Sequence, residues 1–156
     1  KESPIFAREF DGIIVIDEIE LHLHPIWQSE VGKVLKKAFP KAQFILTTHS
    51  PHVIQTALKG EVIALERDGN DVKQRDLVDQ EFGYLGWTIE EILEDIMGMP
   101  DLRTKKYNDV KKRFDNALDK KDKEKALEAY KELDKLLHPN YPLRPVFKIQ
   151  LDSLGE

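Results

Sequence analysis

Cysteine is absent from the chain. That removes disulfide frameworks and thiolate metal sites, and it fits a reducing, cytoplasmic setting. No apolar run approaches the roughly 20 residues that a membrane-spanning helix needs, and at a mean hydropathy of −0.49 no membrane association is expected. A cationic excess is missing too. The formal charge is −5, which offers no bulk attraction to phosphate backbones, so nucleic acid is expected to be met only indirectly, through a local patch or another chain. No targeting pattern follows the first residue, Lys1, and a chain that does not begin with Met is expected to be a fragment. Finally, no G-x-x-x-x-G-K-[ST] stretch occurs, so the sequence has no loop that cradles phosphates with backbone amides and a lysine.

What is present suffices for one ordinary core, with 40% hydrophobic residues in 156. The run "IIVI" at 13–16 has the pattern of a strand buried on both faces in a parallel sheet. After Pro25, the apolar positions Trp27, Val31, Val34, Leu35 and Ala38 recur at helical steps and stop before Pro40. "QFILTTHS" at 43–50 reads as a second strand, so strand, helix and strand form a βαβ unit with parallel strands. Ser50 and Pro51 then open a short helix to about Ala57. Strands at 61–66 and 72–75 flank the turn signal "DGND".

Beyond Gly86 the character becomes helical. Thr88 caps a short helix, and two longer ones follow, with the stripes Tyr107, Val110, Phe114, Ala117 and Ala126, Tyr130, Leu133, Leu137 separated by "DKKD" at 119–122. The proline-rich tail is expected to end in a last short helix. The expected fold class is α/β, a small sheet (βαβ plus hairpin) at 1–87, followed by an α-helical extension with an αα-hairpin at 88–156.

The candidate chemistry lies at the strand ends. A buried parallel strand ending in Asp17 and Glu18 delivers both carboxylates to the sheet's carboxyl edge, where open α/β folds bind ligands. There one acid can hold Mg²⁺ through its water shell and the next can polarise a water. The neighbouring strand brings His49 to the same edge, where an imidazole can touch a terminal phosphate.

At these residues the sequence resembles the ATP-binding-cassette class of P-loop ATPases, in the branch of the SMC, RecF and OLD-type proteins. "IIVIDE" is similar to the Walker B strand, "IELHLHP" to the D-loop and "ILTTHSP" to the switch-histidine loop. The resemblance implies ATP and Mg²⁺ as cofactors, with Asp17 as the Mg²⁺ residue and Glu18 and His49 as catalytic and ATP-binding residues. It also places Leu21, His22, Leu23 and His24 at the interface of an ATP-sandwiched homodimer. "GYLGWTIEEILEDIMGMPDLR" together with "PLRPVFKIQLDSL" is similar to the PtuA-like ATPases of Septu-type and retron anti-phage systems. That similarity implies ATP-driven dimer closure regulating a separate effector, an HNH-type nuclease. Without the P-loop, the chain alone is expected to be inactive as an ATPase.

Other readings fit less of the sequence. A DNA-repair or SMC-like ATPase, or an interaction module that clamps nucleotide without turnover, would keep the same acids. A Zn²⁺ site from His22, His24, His49 and His52 with Glu20 lacks the i, i+4 spacing of a helical ligand pair. A helicase needs a second motor domain, for which too little chain remains. Acids around the "DGND" turn are ordinary turn chemistry rather than nuclease ligands. Residues 88–156 carry 14 basic and 15 acidic side chains, a mixture that reads as a solvated face.

Overall fold

The computed structural model describes residues 7–78 and 80–155. They divide into two compact units, one ending at Leu102 and the other beginning at Arg103. The segment 89–97 packs within the first.

In the first unit β1 (Ile13–Ile16) and β2 (Gln43–Leu46) pair in parallel, Ile13 opposite Gln43 and Ile16 opposite Leu46. They are connected by α1 (Pro25–Ala38), completing the βαβ unit. His24 caps α1, its Nδ1 accepting the Ile26 amide at 3.3 Å. Pro25 sits where a missing N–H costs nothing, and Lys36 and Lys37 in the last turn suit the helix dipole.

Two expectations are corrected here. The strand run at 13–16 is not buried on both faces: Ile13 and Val15 are 60% and 70% exposed, while Ile14 and Ile16 are half-buried. A strand of this composition needs a covering layer on each side, and the described residues cover only one. The second strand stops at Leu46 rather than Ser50. Its last ladder bonds run from Thr47 N to Ile16 O (3.0 Å) and from Ile19 N to Thr47 O (3.1 Å), after which side chains take over the pairing.

α2 (Pro51–Gln55) follows, capped by Ser50, whose Oγ accepts the His52 and Val53 amides. β3 (Leu65–Asp68) and β4 (Asp71–Gln74) form the expected hairpin, with Asp68 opposite Asp71. The connecting pair Gly69-Asn70 puts Gly69 at φ +63°, as tight hairpins require. Residues 61–63, expected as strand, lie outside the ladder, whose last bond runs from the Arg75 amide to the Ala64 carbonyl at 2.8 Å.

α3 (Ile89–Glu91) opens with Thr88 and Glu91 in a reciprocal capping box and widens into a π-type turn over Ile92–Ile96. Ile92 and Ile96 bury against Ile54 and Tyr84, and Trp87 meets Tyr84 edge-on at 5.2 Å. Gly83 permits this packing. A Cβ there would lie 2.4 Å from the Ala57 carbonyl oxygen.

The second unit is three helices. α4 (Lys105–Asp119) and α5 (Lys123–Leu136) form the αα-hairpin, and α6 (Arg144–Asp152) is the last short helix. Both stripes anticipated from the sequence turn inward: Val110, Phe114 and Ala117 meet Ala126, Ala129 and Leu133, closed by Phe147 and Leu151 of α6. Phe114 and Phe147 pack edge to face at 5.9 Å. Arg144 fastens α6 to α5, donating to Asp134 at 2.6 Å and to the Leu137 carbonyl at 3.1 Å. Among the described residues no helix is long and apolar enough to cross a membrane.

Candidate functional site

Two loops leave the same end of the parallel pair, residues 17–24 after β1 and 47–50 after β2. Asp17, Glu18, Thr47, Thr48 and His49 line one open cleft of about 980 Å³. The parallel register explains the meeting, since Ile16 and Leu46 are partners and the residues after them emerge side by side.

Thr47 joins the acids. Its hydroxyl donates to Asp17 Oδ1 and accepts the Glu18 amide at 2.8 Å. Asp17 is thereby oriented with its other oxygen left over. Glu18 is held at φ +48°, a left-handed conformation that costs a side-chain-bearing residue on the order of 1 kcal/mol. No hydrogen bond or ion pair to the Glu18 carboxylate occurs among the described residues, and the same holds for hydrogen bonds to the His49 ring.

Glu20 holds the second loop. One carboxylate oxygen accepts the Thr48 hydroxyl at 2.6 Å, and the other accepts the His49 amide at 2.5 Å. Desolvation pushes the Glu20 carboxyl upward, but these two bonds, its own backbone amide and the His49 charge together outweigh it and lower its pKa from the ordinary 4.5. Gln28 of α1 makes a further link. It donates to the Leu23 carbonyl at 2.7 Å and accepts the Ser50 hydroxyl at 2.6 Å.

Lys33 and Lys36 also line the cleft, yet both are paired, Lys33 with Glu30 at 3.1 Å and Lys36 with Glu61 at 2.5 Å. Glu61 feels burial upward, but the bonds from Lys36 and the Leu58 amide bring its pKa below 4.5. Leu21 and His24 are exposed, and His22 stands at φ +64°. None of residues 21–24 lines the cleft. Among the described residues no three or more His, Asp or Glu side chains are grouped to hold a metal.

Sequence reasoning brought Asp17, Glu18 and His49 to one sheet edge but ended the second strand too late, missed Thr47 and Gln28, and weighed Glu20 only as a metal ligand. The one available signal was "TT" following an apolar strand beside a strand that ends in acids.

Parallel strands joined by a helix, with an acid pair and a histidine at their carboxyl edge, define part of an α/β P-loop ATPase fold. A family model described as "AAA domain, putative AbiEii toxin, Type IV TA system" matches residues 5–55. The chain is 45% identical over 155 residues to the Septu protein PtuA of Bacillus thuringiensis, covering 99% of this chain and 39% of that protein. It is 41% identical over 83 residues to the Retron Ec83 probable ATPase of Escherichia coli, covering 53% of this chain and 15% of the relative. The Retron Vc95 probable ATPase of Vibrio cholerae serotype O1 biovar El Tor is 51% identical over 51 residues, 33% of this chain and 10% of that protein. Along almost its whole length the chain is thus similar to the Septu protein PtuA of Bacillus thuringiensis. It spans 39% of the length of the first of these relatives.

Proposed function

We propose that this chain supplies one wall of an ATP site whose hydrolysis drives closure of a homodimer and regulates a nuclease effector in anti-phage defence. The observation that carries the reading is the convergence of Asp17, Glu18 and His49 on one cleft, with Thr47 bonded to the Asp17 carboxylate and to the Glu18 backbone amide. Asp17, with one oxygen fixed by Thr47, fits an Mg²⁺ shell, and the ion would neutralise charge on the phosphates. Glu18, its carboxylate uncommitted among the described residues, orients or deprotonates the attacking water. His49 contacts the γ-phosphate. Both lysines of the cleft are neutralised by acids, so the phosphates draw their positive charge from a P-loop outside this sequence. By itself the chain is therefore inactive.

The test uses the full-length protein. Glu18→Gln retains ATP binding and lowers turnover about 10²–10⁴-fold, the range for loss of a general base. It also accumulates an ATP-bound dimer in light scattering. Wild-type hydrolysis by Glu18→Gln would sink the assignment.

A further inference from the structure

The loop that carries His49 is not held by its own strand. Beyond the ladder's last bonds, its geometry is set by a carboxylate and an amide belonging to the chain after β1. Glu20 occupies both its oxygens there, one on the Thr48 hydroxyl and one on the His49 amide. Its own carbonyl accepts the Leu23 amide at 2.9 Å, so the same residue roots the turn 20–23. At the far end of that turn, Gln28 bridges the Leu23 carbonyl to the Ser50 hydroxyl. The two loops are therefore tied before and after His49. Ile19, buried at 6% exposure, anchors the start of the tied segment.

We propose that Glu20 is a positioning residue for His49, fixing its height over the cleft and making the 47–50 loop move as one body with residues 20–24. The inference rests on the ATPase reading and adds to it a residue and a mechanical link. Charge-assisted bonds of this length are among the stronger ones available to a loop. Residues 21–24 carry no such tie of their own to the cleft, and His22 is held in a left-handed conformation. A push on the turn is thus passed to His49 through Glu20 and Gln28 rather than absorbed.

The experiment is a double-variant cycle in the full-length protein, measured as kcat and KM for Mg-ATP. Glu20→Ala lowers kcat about 10–100-fold, the scale of a misplaced catalytic group, with KM changed less than about threefold. In a His49→Ala background the same substitution lowers kcat by less than about twofold, because a residue acting through His49 has nothing left to place. Should Glu20→Ala fail to fold, Glu20→Gln is read instead. It keeps a single acceptor oxygen for the two donors, so one of the Thr48 hydroxyl and the His49 amide loses its carboxylate partner, and it shows the same pattern in weaker form. A wild-type kcat in these variants overturns the proposal, and so does an effect that multiplies fully with His49→Ala. Failure of the underlying reading has a different signature: Glu18→Gln then hydrolyses ATP at the wild-type rate. A wild-type protein without turnover removes both.

Discussion

Glu18 and His22 both adopt positive φ without being glycine, four residues apart on the loop after β1. Such conformations persist only where neighbours over-determine them, and for Glu18 the neighbour is the Thr47 hydroxyl. None of this was legible in the sequence. "DE" at a strand end announces itself through composition, whereas a threonine bonding across strands looks like any other polar residue. The ionisation of Glu20 gives a check at this scale. Burial acts upward on its pKa, and the bonds from Thr48 and His49, its own backbone amide and the His49 charge together more than reverse that, to below 4.5. A carboxyl whose folded pKa is lowered stabilises the protein above its unfolded pKa and loses that contribution as pH falls through the folded value. The melting temperature of the wild type should therefore exceed that of Glu20→Gln at neutral pH, with the gap closing on acidification below about pH 4.5. A gap that widens in acid would contradict the assigned bonds.

Among the elements, helices were the most legible because stripe and cap are written in the same few residues. Ser50 and Thr88, read as caps, accept amides of their own first turns, and Phe114 and Leu133 fall on the inward stripes. Strand bounds were less legible. The ladder at β3 and β4 is set by the Gly69-Asn70 turn, not by the apolar residues 62–65. The join between α4 and α5 shows a local compromise, since Lys121 takes φ +52° where glycine would pay no steric penalty. Lys121→Gly should raise the melting temperature by about 2 °C, corresponding to about 0.5–1 kcal/mol. Circular dichroism on heating measures it, and a lowered midpoint would show that Lys121 makes a contact worth more than the strain.

At the scale of the molecule, the residues proposed to meet nucleotide all lie in the unit ending at Leu102 and the charged hairpin in the unit beginning at Arg103. If the hairpin is where the nuclease docks, Lys112→Glu with Lys131→Glu, both exposed, should weaken co-purification of the nuclease while leaving ATP hydrolysis unchanged. Undiminished co-purification would locate docking elsewhere. The expected ATPase class was legible because its motifs are short and contiguous. That one face of β1 and β2 lacks a cover was not, since an apolar run reads the same whether its second layer is near or absent. The bare face bears on the life of the polypeptide in the cell. Ile13, Val15 and Ile45 stand in solvent on two strands that contain no lysine, arginine or proline to guard them, and each strand has an edge unpaired among the described residues. These are the conditions under which strands add to one another. A chain in which these strands stay uncovered would be prone to strand addition, and so to clearance by chaperones and proteases.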